Sequence, residues 1–236
     1  MTARQGSLHT YGKWHENRVM DSSEREQRLA TFQQEAKTCT RCRDRGGANL
    51  LFVDPAGRCA TPMLAPTPTA ALGILVVGEA PNQADTFDPD KGYLTYDYDT
   101  DPTGRFMRAL LIDEAGLRPD EIYDVLFTNA VLCLPARRND KHPVSVEQVD
   151  ACKPWLVRLI ADAGISIVVT MGATALRALN RIERHGLVLR EAAGQIHPWC
   201  GIKLLPLYHA GLLGRVSRSE AAQRVDMRTL REYLGR

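Results

Sequence analysis

Apolar residues along the chain fall into short, nearly continuous runs separated by longer amphipathic stretches. The runs are ILVV (74–77), VLFTNAVLC (125–133), SIVVT (166–170) and KLLPLYH (203–209). Short continuous runs of this kind fit strands covered on both faces. Between them the apolar spacing turns helical. A first helix is predicted from Ser22 or Ser23 to about Lys37, and another over Thr103–Ala115. Ser145 and Gln148 form a capping box that opens a long helix ending near Ala163. Helices follow over Ala173–Asn180 and Ser219–Tyr233. Strands alternating with helices predict an α/β fold, three layers α/β/α around a central four-stranded, mainly parallel sheet. Residues 1–21 are polar and aperiodic and are expected to form a flexible tail; residues 22–236 are expected to form a single domain. Pro55, Pro62, Pro66 and Pro68 exclude regular structure from 54–72, which is expected to be an ordered connection over a sheet edge.

Composition adds limits. With 236 residues, 44% hydrophobic and 25% charged, the chain can bury a sizeable core. A net charge of +2 is too small to identify a nucleic-acid partner, so local clusters must carry that argument. No apolar run approaches the roughly 18 residues of a membrane span, so no membrane partner is expected. The first residues lack the apolar centre of a signal peptide. A cytosolic location is expected, and there six cysteines point to metal or free thiols rather than disulfides. Cys39 and Cys42 form a C-x2-C pair on a turn, Cys133 ends the second apolar run, and Cys152 lies in the long helix. Four such thiolates can complete a tetrahedral zinc site or an iron–sulfur cluster. Two remote cysteines joining a local pair is less like a zinc ribbon, which shows two close pairs. Cys59 and Cys200 are expected to be packing residues. Neither a phosphate loop G-x-x-x-x-G-K-S/T nor a clear G-x-G-x-x-G is present, so no nucleotide cofactor is expected.

In open α/β sheets ligands sit beyond the carboxyl ends of the strands. Three of the strand ends carry polar residues: Gly78-Glu79-Ala80-Pro81-Asn82, Asn129 and His209. They are predicted to gather at one edge.

The segments GEAPNQAD (78–85), FTNAVLC (127–133), CKPWL (152–156), VVTMGATAL (168–176) and PLYH (206–209), in this order and rough spacing, resemble the uracil-DNA glycosylase superfamily. The likeness is to its iron–sulfur family in particular, usually numbered four, and runs across about residues 36–235. The resemblance implies that Cys39, Cys42, Cys133 and Cys152 hold a structural 4Fe–4S cluster. It implies removal of uracil from DNA by hydrolysis of the glycosidic bond in base excision repair, by a monomer acting in a bacterial or archaeal cytosol near the nucleoid.

Such chemistry needs a flipped base, a donor at the base oxygen, an amide that reads the base and a carboxylate near the sugar. His209 is the expected donor to the oxyanion that develops on uracil O2. Asn129 is the expected reader, because one amide both donates and accepts. Asp85 matches the family's water-activating acid, with Asn82 and then Glu79 as further candidates. Gly78, Ala80 and Pro81 shape the turn facing the base, and Tyr96 is the expected aromatic partner. Arg137, Arg138, Lys141 and Arg215 suit a phosphate track, and Leu212 or Leu213 an apolar wedge.

This sequence also departs from the family. Asn82 stands where the family usually has Gly, residues 85–104 are longer and offer no clean match for the stacking Phe, and His209-Ala210-Gly211 replaces His-Pro-Ser or His-Pro-Ala. Those departures keep a second class in view, an iron–sulfur protein that binds uracil-containing or abasic DNA without turnover. A third class is a zinc-stabilised α/β enzyme, supported only by the generic fold.

Overall fold

The apolar runs become the strands of one sheet, and the amphipathic stretches cover it. The computed structural model describes residues 21–37, 39, 41, 71–80, 102–133 and 144–236. The elements in chain order are α1 (Ser22–Lys37), β1 (Ile74–Gly78) and α2 (Pro102–Ala109), which continues into a wide π turn over Leu110–Glu114. After a 3-10 turn at Glu121–Asp124 come β2 (Leu126–Asn129), α3 (Val146–Asp162), β3 (Ile167–Met171) and α4 (Ala173–Asn180). The last elements are α5 (Leu189–Ala192), β4 (His197–Trp199), β5 (Ile202–Leu207), α6 (Leu212–Ser217) and α7 (Glu220–Tyr233).

The strand order is β2-β1-β3-β5-β4. β1 pairs in parallel with both β2 and β3, and β3 in parallel with β5. Alternation sends successive side chains to opposite faces. Leu75, Val77, Leu126, Val168 and Leu204 join α1, α3 and α4 in one buried cluster. Ile74, Val76, Phe127, Val169, Met171, Leu205 and Leu207 join α2 and α7 in the other. The α/β reading therefore holds. α3 opens with the predicted capping box: Gln148 N–H donates to Ser145 Oγ (3.2 Å) and Ser145 N–H to Gln148 Oε1 (2.8 Å).

The sheet has five strands rather than four. β4 is an added antiparallel edge, with Trp199 opposite Ile202. Cys200 and Gly201 make the two-residue turn between them, with φ of 45° and 69°. Two consecutive positive φ values are the signature of a type I′ hairpin, whose twist matches that of the flanking strands. The strand escapes sequence reasoning because it is three residues long, contains Pro198, and turns on Cys-Gly rather than Asn-Gly. Cys200 is accordingly more than a packing residue: its thiol donates to Glu183 Oε2 (3.0 Å), and burial pushes its pKa far above the ordinary range.

β2 is also shorter than its apolar run. Ala130 N–H and Val131 N–H donate to the carbonyls of Gly78 (2.9 Å) and Glu79 (3.0 Å). Consecutive amides of a pleated strand point in opposite directions, so this pair marks a turn across the end of β1. α6 was not anticipated either, since it buries none of its side chains. The proline-rich segment, the N-terminal tail and Cys59 lie outside the described residues. Among the described residues no helix is long and apolar enough to cross a membrane.

α1 docks on α3 through aromatic packing. Phe32 is fully buried and meets the Trp155 ring edge-on, with centroids 5.5 Å apart at 89°. Replacing Phe32 with Ala should cost about 3–5 kcal/mol, because the cavity cannot collapse against a rigid helix pair. Denaturant titration should show a lower midpoint at unchanged slope. Polar anchoring works at the other end of the chain, where Arg236 reaches both carboxylate oxygens of the buried Glu121 (2.6 and 2.8 Å). That guanidinium, with the Arg118 N–H, holds the Glu121 carboxyl down at about 2. A folded-state pKa below the unfolded one adds stability above pH 4.5 that is lost as pH falls toward 2. Glu121→Gln should flatten the acid limb of a stability-versus-pH curve in that window while lowering stability at neutral pH.

Candidate active site

The carboxyl ends of β1, β2, β3 and β5 form one edge, and β1 is the strand beside which the chain order reverses. That is where an open parallel sheet leaves a crevice. Gly78 and Asn129 are register partners at the ends of β1 and β2. Asn129 is 4% exposed and lies on the same face as Phe127, the face covered by α2 and α7. A buried amide at a strand end is costly unless bonded, and it offers a donor and an acceptor in one plane. Glu79 is exposed and Ala80 half-buried against the core. The backbone carbonyls of Gly78 and Glu79, tied to Ala130 and Val131, lock the turn after β1 to the end of β2.

His209 lies two residues beyond β5. Gly211 N–H donates to its Nδ1 (2.9 Å). A ring nitrogen that accepts carries no proton, so the neutral imidazole holds its hydrogen on Nε2. The ring is half-buried. A side chain built at Gly211 would meet both His209 Nδ1 and Thr103 Oγ1, which sets the imidazole near the start of α2. Asn129 and His209 therefore belong to the same side of the sheet. His185 and His197 are structural by comparison, each bonding a backbone carbonyl through Nε2: Leu176 at 3.0 Å and Ala192 at 3.5 Å.

α6 follows the histidine and projects outward. Leu212, Leu213 and Val216 are 71%, 84% and 79% exposed, a solvent-facing apolar patch on a six-residue helix. Arg215 turns inward instead. Its guanidinium sits over the Phe106 ring at 5.3 Å and donates to Glu220 Oε1 (2.7 Å). Arg218 grips the buried Asp226 through Nε and Nη2 and lies over Tyr208 at 5.8 Å. Removing Arg218 would strand a buried carboxylate, a loss of about 3–5 kcal/mol. Sequence reasoning missed Thr103, Gly211, Gly214 and Gln223, which surround His209. Of these, Gly211 alone was visible in the sequence, as part of the His209-Ala210-Gly211 departure from the family motif.

Three of the four candidate metal-binding cysteines are described. Cys133 and Cys152 are each 5% exposed and Cys39 is partly buried. Trp155 Nε1–H donates to Cys39 Sγ (3.1 Å). Cys152 precedes Trp155 by one helical turn, so Cys39 and Cys152 adjoin the same face of α3. Among the described residues no group of three or more His, Cys, Asp or Glu is close enough to hold a single metal ion. Of these soft donors Cys133 and Cys152 are buried and Cys39 receives an N–H, a set whose chemistry could take either zinc or an iron–sulfur cluster. Cys42 lies outside the described residues, as do Pro81, Asn82, Asp85, Tyr96, Arg137, Arg138 and Lys141.

A family model, the Uracil DNA glycosylase superfamily, matches residues 66–229, well over half of the chain and the whole of the sheet. The match spans the β1 turn, Asn129 and His209 alike, so the chain belongs to the uracil DNA glycosylase superfamily.

Proposed function

We propose that the protein is a monofunctional glycosylase that removes uracil from DNA by hydrolysis, acting as a monomer in base excision repair. Residues 22–236 make its single domain. Superfamily membership supports a glycosylase-type hydrolase acting on DNA. The observation that carries the rest is the hydrogen bond from the Gly211 amide to His209 Nδ1, which selects the Nε2–H tautomer on the same side of the sheet as the buried Asn129.

The target nucleotide leaves the stack and its base enters the crevice over Gly78, Ala80 and Pro81. The Asn129 amide reads the O4 and N3–H edge of uracil and mismatches cytosine. As the bond between C1′ and N1 lengthens, its electron pair moves into the uracil ring. His209 Nε2–H meets the charge growing on O2, a contact stronger in the transition state than in the ground state. Asp85 takes a proton from water as the water oxygen bonds to C1′. Asn82 helps position that water and Glu79 holds the turn. Tyr96 packs on the base. The uracil anion leaves and is protonated, and an abasic sugar remains. Leu212 and Leu213, exposed on α6, fill the vacated stack. Arg137, Arg138 and Lys141 follow the phosphates, while Arg215 contributes through the placement of α6 against Phe106.

Cys39, Cys42, Cys133 and Cys152 are the residues that would hold a 4Fe–4S cluster. Such a cluster would tie the segment after α1 to the end of β2 and to α3, a structural duty rather than a redox one. Trp155 donates to the Cys39 sulfur, and Arg41 (5.4 Å) and Arg158 (5.9 Å) lie over its indole. Cations over a ring make its N–H a better donor. Trp155→Phe keeps the packing and removes the N–H. It should speed loss of the cluster's visible absorbance under a chelator, while a zinc protein would show no such absorbance at all.

Incubation of anaerobically purified protein with uracil-containing DNA, followed by alkaline cleavage, tests the activity. Strand scission at uracil should appear with the wild type and fall on the order of 100-fold or more with Asp85→Ala and with His209→Ala. Tight binding of abasic DNA with no scission by the wild type would instead identify the non-catalytic binder that the His209-Ala210-Gly211 motif keeps in view.

A further inference from the structure

We propose that Gly211 and Gly214 are positioning residues that form a side-chain-free cradle for His209, one against its ring and one against its carbonyl. The inference rests on the reading of His209 as the donor to the base.

Glycine is usually selected for backbone freedom, and here that reason fails. Gly211 has φ −70° and ψ 169°, open to any residue, and Gly214 lies inside α6. Glycine weakens a helix relative to alanine, so its presence in a six-residue helix calls for a cause. The cause is space. A Cβ on Gly214 would stand 1.8 Å from the His209 carbonyl oxygen and 2.7 Å from its carbon. No side chain fits, because the obstacle is backbone. A Cβ on Gly211 would stand 2.7 Å from His209 Nδ1 and 2.9 Å from Cε1, with Thr103 Oγ1 at 3.3 Å behind. The imidazole thus rests edge-on against the Gly211 backbone, close enough for the amide to reach Nδ1. Gln223, which is 3% exposed, approaches the same carbonyl from α7 (3.5 Å) and bonds the Arg218 carbonyl (3.0 Å). The histidine is therefore held at both ends by backbone.

The two positions differ in a way that can be measured. The obstacle at 211 is an imidazole, which can swing away; the obstacle at 214 cannot. Gly211→Ala should fold, displace the ring, and lose its excision rate on the order of 100-fold at little-changed KM. Long-range proton–nitrogen spectra of the full-length protein should show that His209 no longer populates the Nε2–H tautomer alone. Gly214→Ala should lose activity and also melt earlier. A Gly211→Ala protein with the wild-type excision rate, pH profile and His209 tautomer would overturn the cradle. If the wild type leaves uracil in place, the glycosylase reading falls, and the ring spectra still decide the cradle by themselves. If Gly211→Ala melts early, the double variant with His209→Ala decides. Removing the ring should abolish the penalty of the added methyl, and an equal penalty in both backgrounds would refute the contact.

Discussion

The Asn129 end of the functional edge is referenced to β1, a strand that is hydrogen-bonded on both sides and buried on both faces. Its four apolar side chains are removed from water almost completely, worth about 1.5–3 kcal/mol each before the entropy of ordering is set against them. A strand in that position cannot slide, because a shift of one residue would turn each side chain to the wrong cluster. The end of β1 is fixed as a result, and so are Gly78 and the Glu79 carbonyl that receives Val131. Asn129 inherits its place from this register, and the turn carrying Ala80 starts from a rigid point.

The histidine end of the edge is built differently. His209 lies outside any strand, so the sheet does not hold it. α7 does, through Gln223 and through the Arg218–Asp226 pair at the start of the same segment. Asp226 is itself seated against Gly194, whose φ of 76° and missing side chain let the carboxylate approach. A buried carboxylate matched by one guanidinium is weak evidence of net stability, yet it defines geometry, since loosening it leaves a charge uncompensated. The loop from 208 to 219 is thus clamped from below by ionic contact and from within by backbone contact at two glycines.

Several of the described arginines are engaged in ion pairs within the protein. Arg158, Arg181, Arg215, Arg218, Arg224 and Arg236 each pair with a carboxylate, and several also cover an aromatic ring. Charge counted from the sequence therefore overstates what these arginines offer to phosphates. α6 presents Leu212, Leu213 and Val216 to solvent, with the neighbouring Arg215 folded under them. Under the proposed function, this apolar prominence is the part of α6 that would enter the base stack.

The sequence by itself determined the parallel core, the helices that cover it, the capping box at Ser145 and the three polar strand ends. All of these are written in local periodicity or in residues a few positions apart, and local patterns are what a chain displays in one dimension. β4 stayed hidden because its pairing depends on a Cys-Gly turn that only the neighbouring strand makes favourable. α6 stayed hidden because none of its residues is fully buried and so it leaves no apolar periodic trace. The inward turn of Arg215, the tautomer of His209 and the need for glycine at 211 and 214 arise from contacts between segments that meet only after folding. Gly211 alone carried a sequence signal, as a departure from a motif, and for both glycines tertiary structure supplied the reason: atoms of His209 leave no room for a Cβ.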